Sequence, residues 1–258
     1  LVGNPIPRLE SGAIDWPTFR DVLAIRSDRL VIGLAVGAAL AVSGVLLQAL
    51  LRNPLASPYI LGISSGSALG VMIFLYFVWL SPQLAFAGGQ HGAAAIGAGV
   101  TMLVVYLFAQ RRGWIDPIVV MITIVGFLIS VWMGRAMDVA TFSDAEAHSL
   151  GVNLAVLRLV MFLVAGVMTA GSVVLAGPIG FVGLICPHWM RLLTGPRHRP
   201  LVIGSAMLGA GLVVAADVAI KALDVYWLES GLMPVGVLTA LIGGPAFLVM
   251  LRPQLGRG

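Results

Sequence analysis

Long uncharged apolar runs alternate with short polar connectors along this chain. A run of about 18 apolar residues is long enough to cross roughly 30 Å of hydrocarbon as a helix. Seven segments approach or exceed that length: Leu30 to Leu51, Tyr59 to Leu80, Ala93 to Gln110, Pro117 to Met133, Leu159 to Ala176, Pro200 to Ile220 and Leu232 to Leu251. Each is predicted to be a membrane-spanning helix. A further apolar piece, Ile179 to Met190, is rich in glycine and too short to cross alone unless it extends through Arg191 to the Leu192, Leu193 region. The polar exception is SDAEAHSLGVN, Ser143 to Asn153, between an uncharged run that ends at Gly134 and another that starts at Leu159. It reads as a short amphipathic helix parallel to the membrane, with Ser143 or Asp144 as N-cap, Glu146 in the first turn and Gly151 as C-cap.

Composition makes lipid the solvent for most of the chain. Of 258 residues, 59% are hydrophobic and 10% charged, with a mean hydropathy of +1.03. Asn53 to Gln110 holds no Lys, Arg, Asp or Glu, so two crossings and their connection form one uncharged block that a soluble protein does not tolerate. The net charge of +4 is ordinary for a membrane protein with arginine-rich inner loops, and no nucleic-acid partner is read from it. A single cysteine, Cys186, excludes a disulfide framework and any multi-Cys metal site. The opening LVGNPIPRLESG lacks a basic region and an initiator Met; it is not read as a signal peptide, and the chain is expected to begin inside a longer one.

Arginines mark the inner loops. Arg52, Arg111 with Arg112, Arg191 with Arg197 and Arg199, and Arg252 with Arg257 go inside without conflict. Counting back from the C-terminus puts Arg135 to Arg158 inside as well, whereas counting forward from Arg112 puts the same segment outside. Either one span is re-entrant or an odd number of crossings is absent, and the reading taken is absence between about Ser130 and Arg135. Two halves of opposite orientation then remain, about 30–133 and 155–251, the inverted-repeat arrangement of many transporters. Gly44 precedes Pro54 by ten residues, as Gly177 precedes Pro187, a faint echo of that repeat.

Gly33 and Gly37, then Gly62, Gly66 and Gly70, recur every four residues and put bare backbone on one helix face for close packing. Asn53, Pro54, Ser57 and Pro58 form a turn between two spans. In LAGPIGFVGLICPHWMRLLTGPRHRP, Leu175 to Pro200, glycines and prolines break regular helix, which at membrane depth requires protein or a cavity to satisfy the freed backbone groups. His188 reads as a packing or helix-end histidine, with His91, His148 and His198 in loops, so no metal site and no catalytic group is assigned. Asp217 and Lys221, four apart, read as an ion pair near the outer surface. No G-x-x-x-x-G-K-[ST] loop is present, and the one lysine, Lys221, is followed by Ala222, so ATP hydrolysis is not expected of this chain.

Four blocks, in this order, carry a resemblance: AVSGVLLQALLRNPLASPYILGISSGSALG, AEAHSLGV, GPIGFVGLICPHWMRLLTGPRHR and MPVGVLTALIGGPAFL. Together they cover most of the chain, which resembles the FecCD-type permeases, membrane subunits of bacterial ABC importers for ferric siderophores, haem or cobalamin. The resemblance implies an all-α, polytopic permease of the type II ABC importer fold, ten helices in the family with about eight represented here, the first and the sixth missing. It implies that Asp144, Glu146, Ala147 and Gly151 belong to the helix that docks on the ATP-binding subunit. Arg26 and Arg29 match paired arginines that meet acidic residues of a periplasmic or lipid-anchored binding protein, although the family's usual Pro before the second arginine is Asp28 here. Asn53 and Leu55 match a turn at the cytoplasmic constriction. It further implies an ATP-binding subunit dimer, a second permease subunit, identical or not, a location in the bacterial inner membrane, and no cofactor. The rival reading is a secondary transporter coupled to protons through Asp217.

Overall fold

In the computed structural model, residues 16–58, 63–81, 89–93, 96, 100, 116–142, 144–223 and 235–255 are described. They form α1 (Trp16–Leu50), α2 (Ile63–Leu80), α3 (Asp116–Val139), α4 (Asp144–Ser149), α5 (Leu154–Ala176), α6 (Val182–Thr194), α7 (His198–Leu223) and α8 (Val235–Leu255), and 89–93 are helical as well. No strand occurs among the described residues. Four helices are long and apolar enough to cross a membrane, at Arg26–Leu50, Pro117–Val139, Leu154–Ala176 and His198–Leu223. Shorter apolar helices occupy Val71–Leu80 and Val235–Leu248.

The predicted spans at Leu30 to Leu51, Pro117 to Met133, Leu159 to Ala176 and Pro200 to Ile220 recur among these four long helices. Those at Tyr59 to Leu80 and Leu232 to Leu251 are helical from Ile63 and Val235 but with shorter described apolar parts. α1 starts well before Leu30, and α3 continues past Met133 to Val139. α5 begins at Leu154 rather than Leu159 because Asn153 caps it, its side chain accepting from Ala155 N and Val156 N. The predicted span at Ala93 to Gln110 lies mostly outside the described residues. The doubtful piece after α5 is α6, only 13 residues long, entered through the uncoiled Gly177 to Phe181. Its start is irregular: Phe181 has φ 66°, and no side chain caps the helix. Between about Ser130 and Arg135 α3 runs without a break, and Ser130 Oγ donates to Gly126 O one turn back.

α1 sits at the centre, packed against α3, α5, α6 and α7. Its residues Val36, Ala39, Val42, Val45 and Leu46 are fully buried, so apolar side chains on every side face protein. Glycine makes that crowding possible. A Cβ on Gly37 would run into the backbone of Gly209 on α7, and one on Gly44 into the backbone of Gly183 on α6. Bare backbone at these two crossings therefore lets the helices approach to contact distance. The buried hydroxyls of Ser43, Thr123, Thr169 and Ser172 donate to the carbonyl four residues earlier, which satisfies them within their own helices; the buried Ser205 Oγ has no such partner among the described residues.

Candidate functional site: a polar junction around the short helix α4

α4 exposes Asp144, Glu146 and His148 and buries Ala147 completely. The predicted C-cap is present: Gly151 has φ 79°, Gly151 N donates to His148 O and Val152 N to Ala147 O. That pair of bonds is a Schellman motif, in which the left-handed position favours glycine. Asn153 then starts α5, so a helix stop and a helix start fall within three residues. Ser143, one of the two residues expected to cap α4, lies outside the described residues; Asp144 is the first residue of the helix.

Asp144 fastens α4 to the bundle. Its Oδ1 lies 3.1 Å from Nη2 of Arg52, in the turn after α1, and 3.1 Å from Nη2 of Arg158 on α5. Arg52 also donates to Ala140 O at 3.2 Å, just past the C-terminal end of α3, where a cation is favoured by the helix dipole. The Asn53 turn beside it is built as expected of its sequence. Asn53 Oδ1 accepts from Leu55 N at 2.9 Å, and Asn53 O from Ala56 N at 3.1 Å. Arg52 itself takes a left-handed φ of 48°.

Beneath the turn, Gln48 is buried. Its Nε2 reaches Ala56 O and Leu184 O at the outer limit of 3.5 Å, and its Oε1 accepts from Arg191 Nη2 at 3.3 Å. α1, the turn and α6 thus meet on one amide. On the opposite wall Asp138 of α3 accepts from His198 N at 2.8 Å and lies 2.7 Å from His198 Nδ1, a carboxylate at the N-terminus of α7. A cleft of about 350 Å³ opens between these groups.

Asn53, Leu55, Asp144, Ala147 and Gly151 therefore gather at one end, while Arg26 and Arg29 stand near the start of the apolar part of α1. From Arg29 to Leu50 the helix rises ~30 Å, the thickness of the hydrocarbon layer. At that far end the expected Asp217 to Lys221 pair is present at 2.8 Å, and Arg29 joins it, 2.7 Å from Asp217 Oδ1. Sequence reasoning assigned no role to Gln48, Arg52, Asp138, Arg158 or His198 in this junction. Apart from Gln48 to Ala56, 8 positions apart, and Arg158 to Asp144, 14 apart, their partners are 60 to 143 positions away.

Two charged ends separated by one bilayer thickness, joined by apolar helices, define a multi-pass membrane protein. The model of the FecCD transport family matches residues 15–123 and 114–253, so this chain belongs to that family. The Fe(3+) dicitrate transport system permease protein FecD of Escherichia coli (strain K12) is 36% identical, over 92% of this chain and 88% of that protein. The cobalamin import system permease protein BtuC of Halobacterium salinarum is 34% identical, over 95% of this chain and 81% of that protein. The hemin transport system permease protein HmuU of Yersinia pestis is 30% identical over 90% and 83%. A solved structure described as an inward-facing metal-chelate type ABC transporter superposes with a TM-score of 0.67 at 26% identity, covering 97% of this chain and 92% of that one. These likenesses agree with the expected all-α permease fold.

Proposed function

We propose that this chain is a membrane-spanning subunit of an ATP-driven importer whose cargo is an iron chelate, haem or cobalamin, the cargoes named for its relatives. Two copies, or one copy and a sister subunit, enclose the path. An ATP-binding dimer docks on α4 from the cytoplasm, and a binding protein delivers cargo at the Arg26 and Arg29 end. The cell's cytoplasmic membrane is the location this reading requires. The observation that carries it is the junction itself: an exposed short helix, fixed by Asp144 to the ends of α1 and α5, can pass movement of a soluble motor into the two helices at once. ATP-driven closure of the motor then biases the bundle between two openings, because it binds one of them better.

The charge conflict has a better solution than a gap at 130–135. The family model's first match ends at 123 and its second begins at 114. The alignment with the Halobacterium protein runs over 310 residues, more than this chain has, so that relative carries internal segments with no counterpart here. We infer that the absent crossing is lost before Asp116 and that α3 runs inward, which leads Arg135 to Arg158 to the cytoplasmic side. The secondary-transporter reading loses support because Asp217 is engaged by two cations near a helix end.

The test is co-purification with a candidate ATP-binding subunit, followed by ATPase measurement, for the native chain and for Glu146→Lys with Gly151→Leu. Complex formation that is lost in the double variant is expected. Equal binding of both proteins would remove α4 from the docking role.

A further inference from the structure

The cleft at the α4 end carries more positive charge than its surroundings balance. Arg52, Arg158 and Arg191 line it, with Gln48, Asn53 and His198. Its volume of about 350 Å³ falls at the lower end of the range for small-molecule sites. The nearby carboxylates are already committed. Asp144 serves two guanidiniums, Arg52 through Oδ1 and Arg158 through both oxygens, and Asp138 is held by His198.

Arg191 is the unbalanced group. Among the described residues no carboxylate lies within ion-pair distance of it, and its Nη2 donates to the neutral Gln48 Oε1 at 3.3 Å. The side chain is half-buried, so water compensates its charge only in part. A guanidinium in that state, lining one recess with two more, supplies donors of the kind that recognise phosphate by paired N–H bonds.

We propose that this cleft binds an anion of the phosphate class, a mono- or diester, with Arg191 on its inner side and the more exposed Arg52 and Arg158 at its mouth. The phosphate comes either from an anionic lipid headgroup or from free phosphate in solution. Its oxygens replace Asp144 on Arg52 and Arg158, so occupancy competes with the tie that holds α4. The inference stands on the cleft alone and does not depend on the cargo or on the docking role of α4.

The experiment uses the full chain, purified in detergent and stripped of lipid. In one arm inorganic phosphate is titrated against chloride at constant ionic strength and binding is read by calorimetry. In the other, phosphatidylglycerol and phosphatidylcholine compete in mixed micelles and the retained lipid is weighed by native mass spectrometry. Saturable binding is expected in at least one arm, weakened at least ~10-fold by Arg191→Gln, tightened several-fold by Asp144→Asn and unmoved by Arg197→Gln, an exposed arginine outside the cleft. A response to phosphate alone assigns the free anion, and a response to phosphatidylglycerol alone assigns the headgroup. If Arg191→Gln does not fold, Arg191→Lys, which keeps the charge but loses the fork, should weaken binding by a smaller factor. Absence of saturable binding in both arms, or binding indifferent to the foldable Arg191 variant, or no gain with Asp144→Asn, overturns the proposal.

Discussion

Arg52 and Asp144 stand 92 positions apart and meet at 3.1 Å. The contact joins the turn that ends the central helix to the first residue of the short helix α4, and Arg158 completes it from α5. Both side chains of the Arg52 pair are more than half exposed, at 55% and 61%, so water and salt screen the attraction. Its value lies in geometry rather than in stability. Asp144→Asn should change the free energy of unfolding by less than ~1 kcal/mol. If α4 is the docking helix, the same variant should lower ATPase stimulation by the assembled subunits severalfold. Denaturation in detergent and ATPase assays on one preparation separate the two effects; a large loss of stability with normal stimulation would contradict this account.

Two glycines four residues apart on α1 should behave differently. A Cβ at Gly37 meets the Gly209 carbonyl and the Ala210 backbone, atoms that cannot step aside without moving α7. A Cβ at Gly33 meets only the Val214 side chain at 3.4 Å, an ordinary contact. Gly37→Ala is therefore expected to destabilise by ~1–3 kcal/mol, the usual cost of overpacking. Gly33→Ala should be neutral or slightly stabilising, because alanine favours helix. Thermal unfolding of the two purified variants decides it, and equal behaviour would remove the close crossing of α1 and α7.

Those glycines were legible in the sequence because their four-residue spacing is local, as was the apolar length of the α1, α3, α5 and α7 spans. Gly151 was legible too, since a glycine just past a short polar helix is the residue that most readily takes the left-handed position of a helix stop. The junction around Gln48, Arg191 and His198 was not. Each of those bonds joins residues brought together only by the packing of separate helices, and nothing in the spacing of a glutamine inside an apolar run names Leu184 O as its partner. His198 read as a loop histidine, yet it opens α7 and is buried, because its partner Asp138 lies at the end of another helix. The place of the crossing that charge parity calls for was open for a related reason. Charge parity detects that a crossing is absent but carries no information on which side of an uncharged helix it was lost, and α3 is uncharged from Pro117 to Gly134.

Gly151 isolates backbone strain from packing. No atom lies within 4 Å of a Cβ built there, so substitution meets no steric obstacle, while φ 79° is left-handed. Gly151→Ala is expected to cost ~1–2 kcal/mol locally. Gly151→Asn should cost less, since asparagine tolerates that region. As α4 is exposed, the loss should show as faster amide hydrogen exchange at His148 to Val152 with little change in global unfolding. Identical exchange in the alanine variant would mean the Schellman closure contributes nothing to the order of the segment.

Asp217 decides between the two transport classes. It is mostly buried, with 15% of its side chain exposed, and receives Arg29 at 2.7 Å from α1 and Lys221 at 2.8 Å from its own helix. A proton carrier must release and rebind its proton during turnover, whereas a carboxylate bonded to two cations on different helices serves as a clamp between α1 and α7. Asp217→Asn keeps the shape but leaves Arg29 and Lys221 close together with no intervening charge. The variant should lose ~1–3 kcal/mol of stability, between the values for exposed and buried pairs. Uptake into vesicles loaded with ATP should persist in it, and in the native assembly uptake should resist a protonophore while ATP is maintained. Uptake that collapses with the protonophore, together with a folded but inactive Asp217→Asn, would instead make this carboxylate the coupling group and the ATP-driven reading untenable.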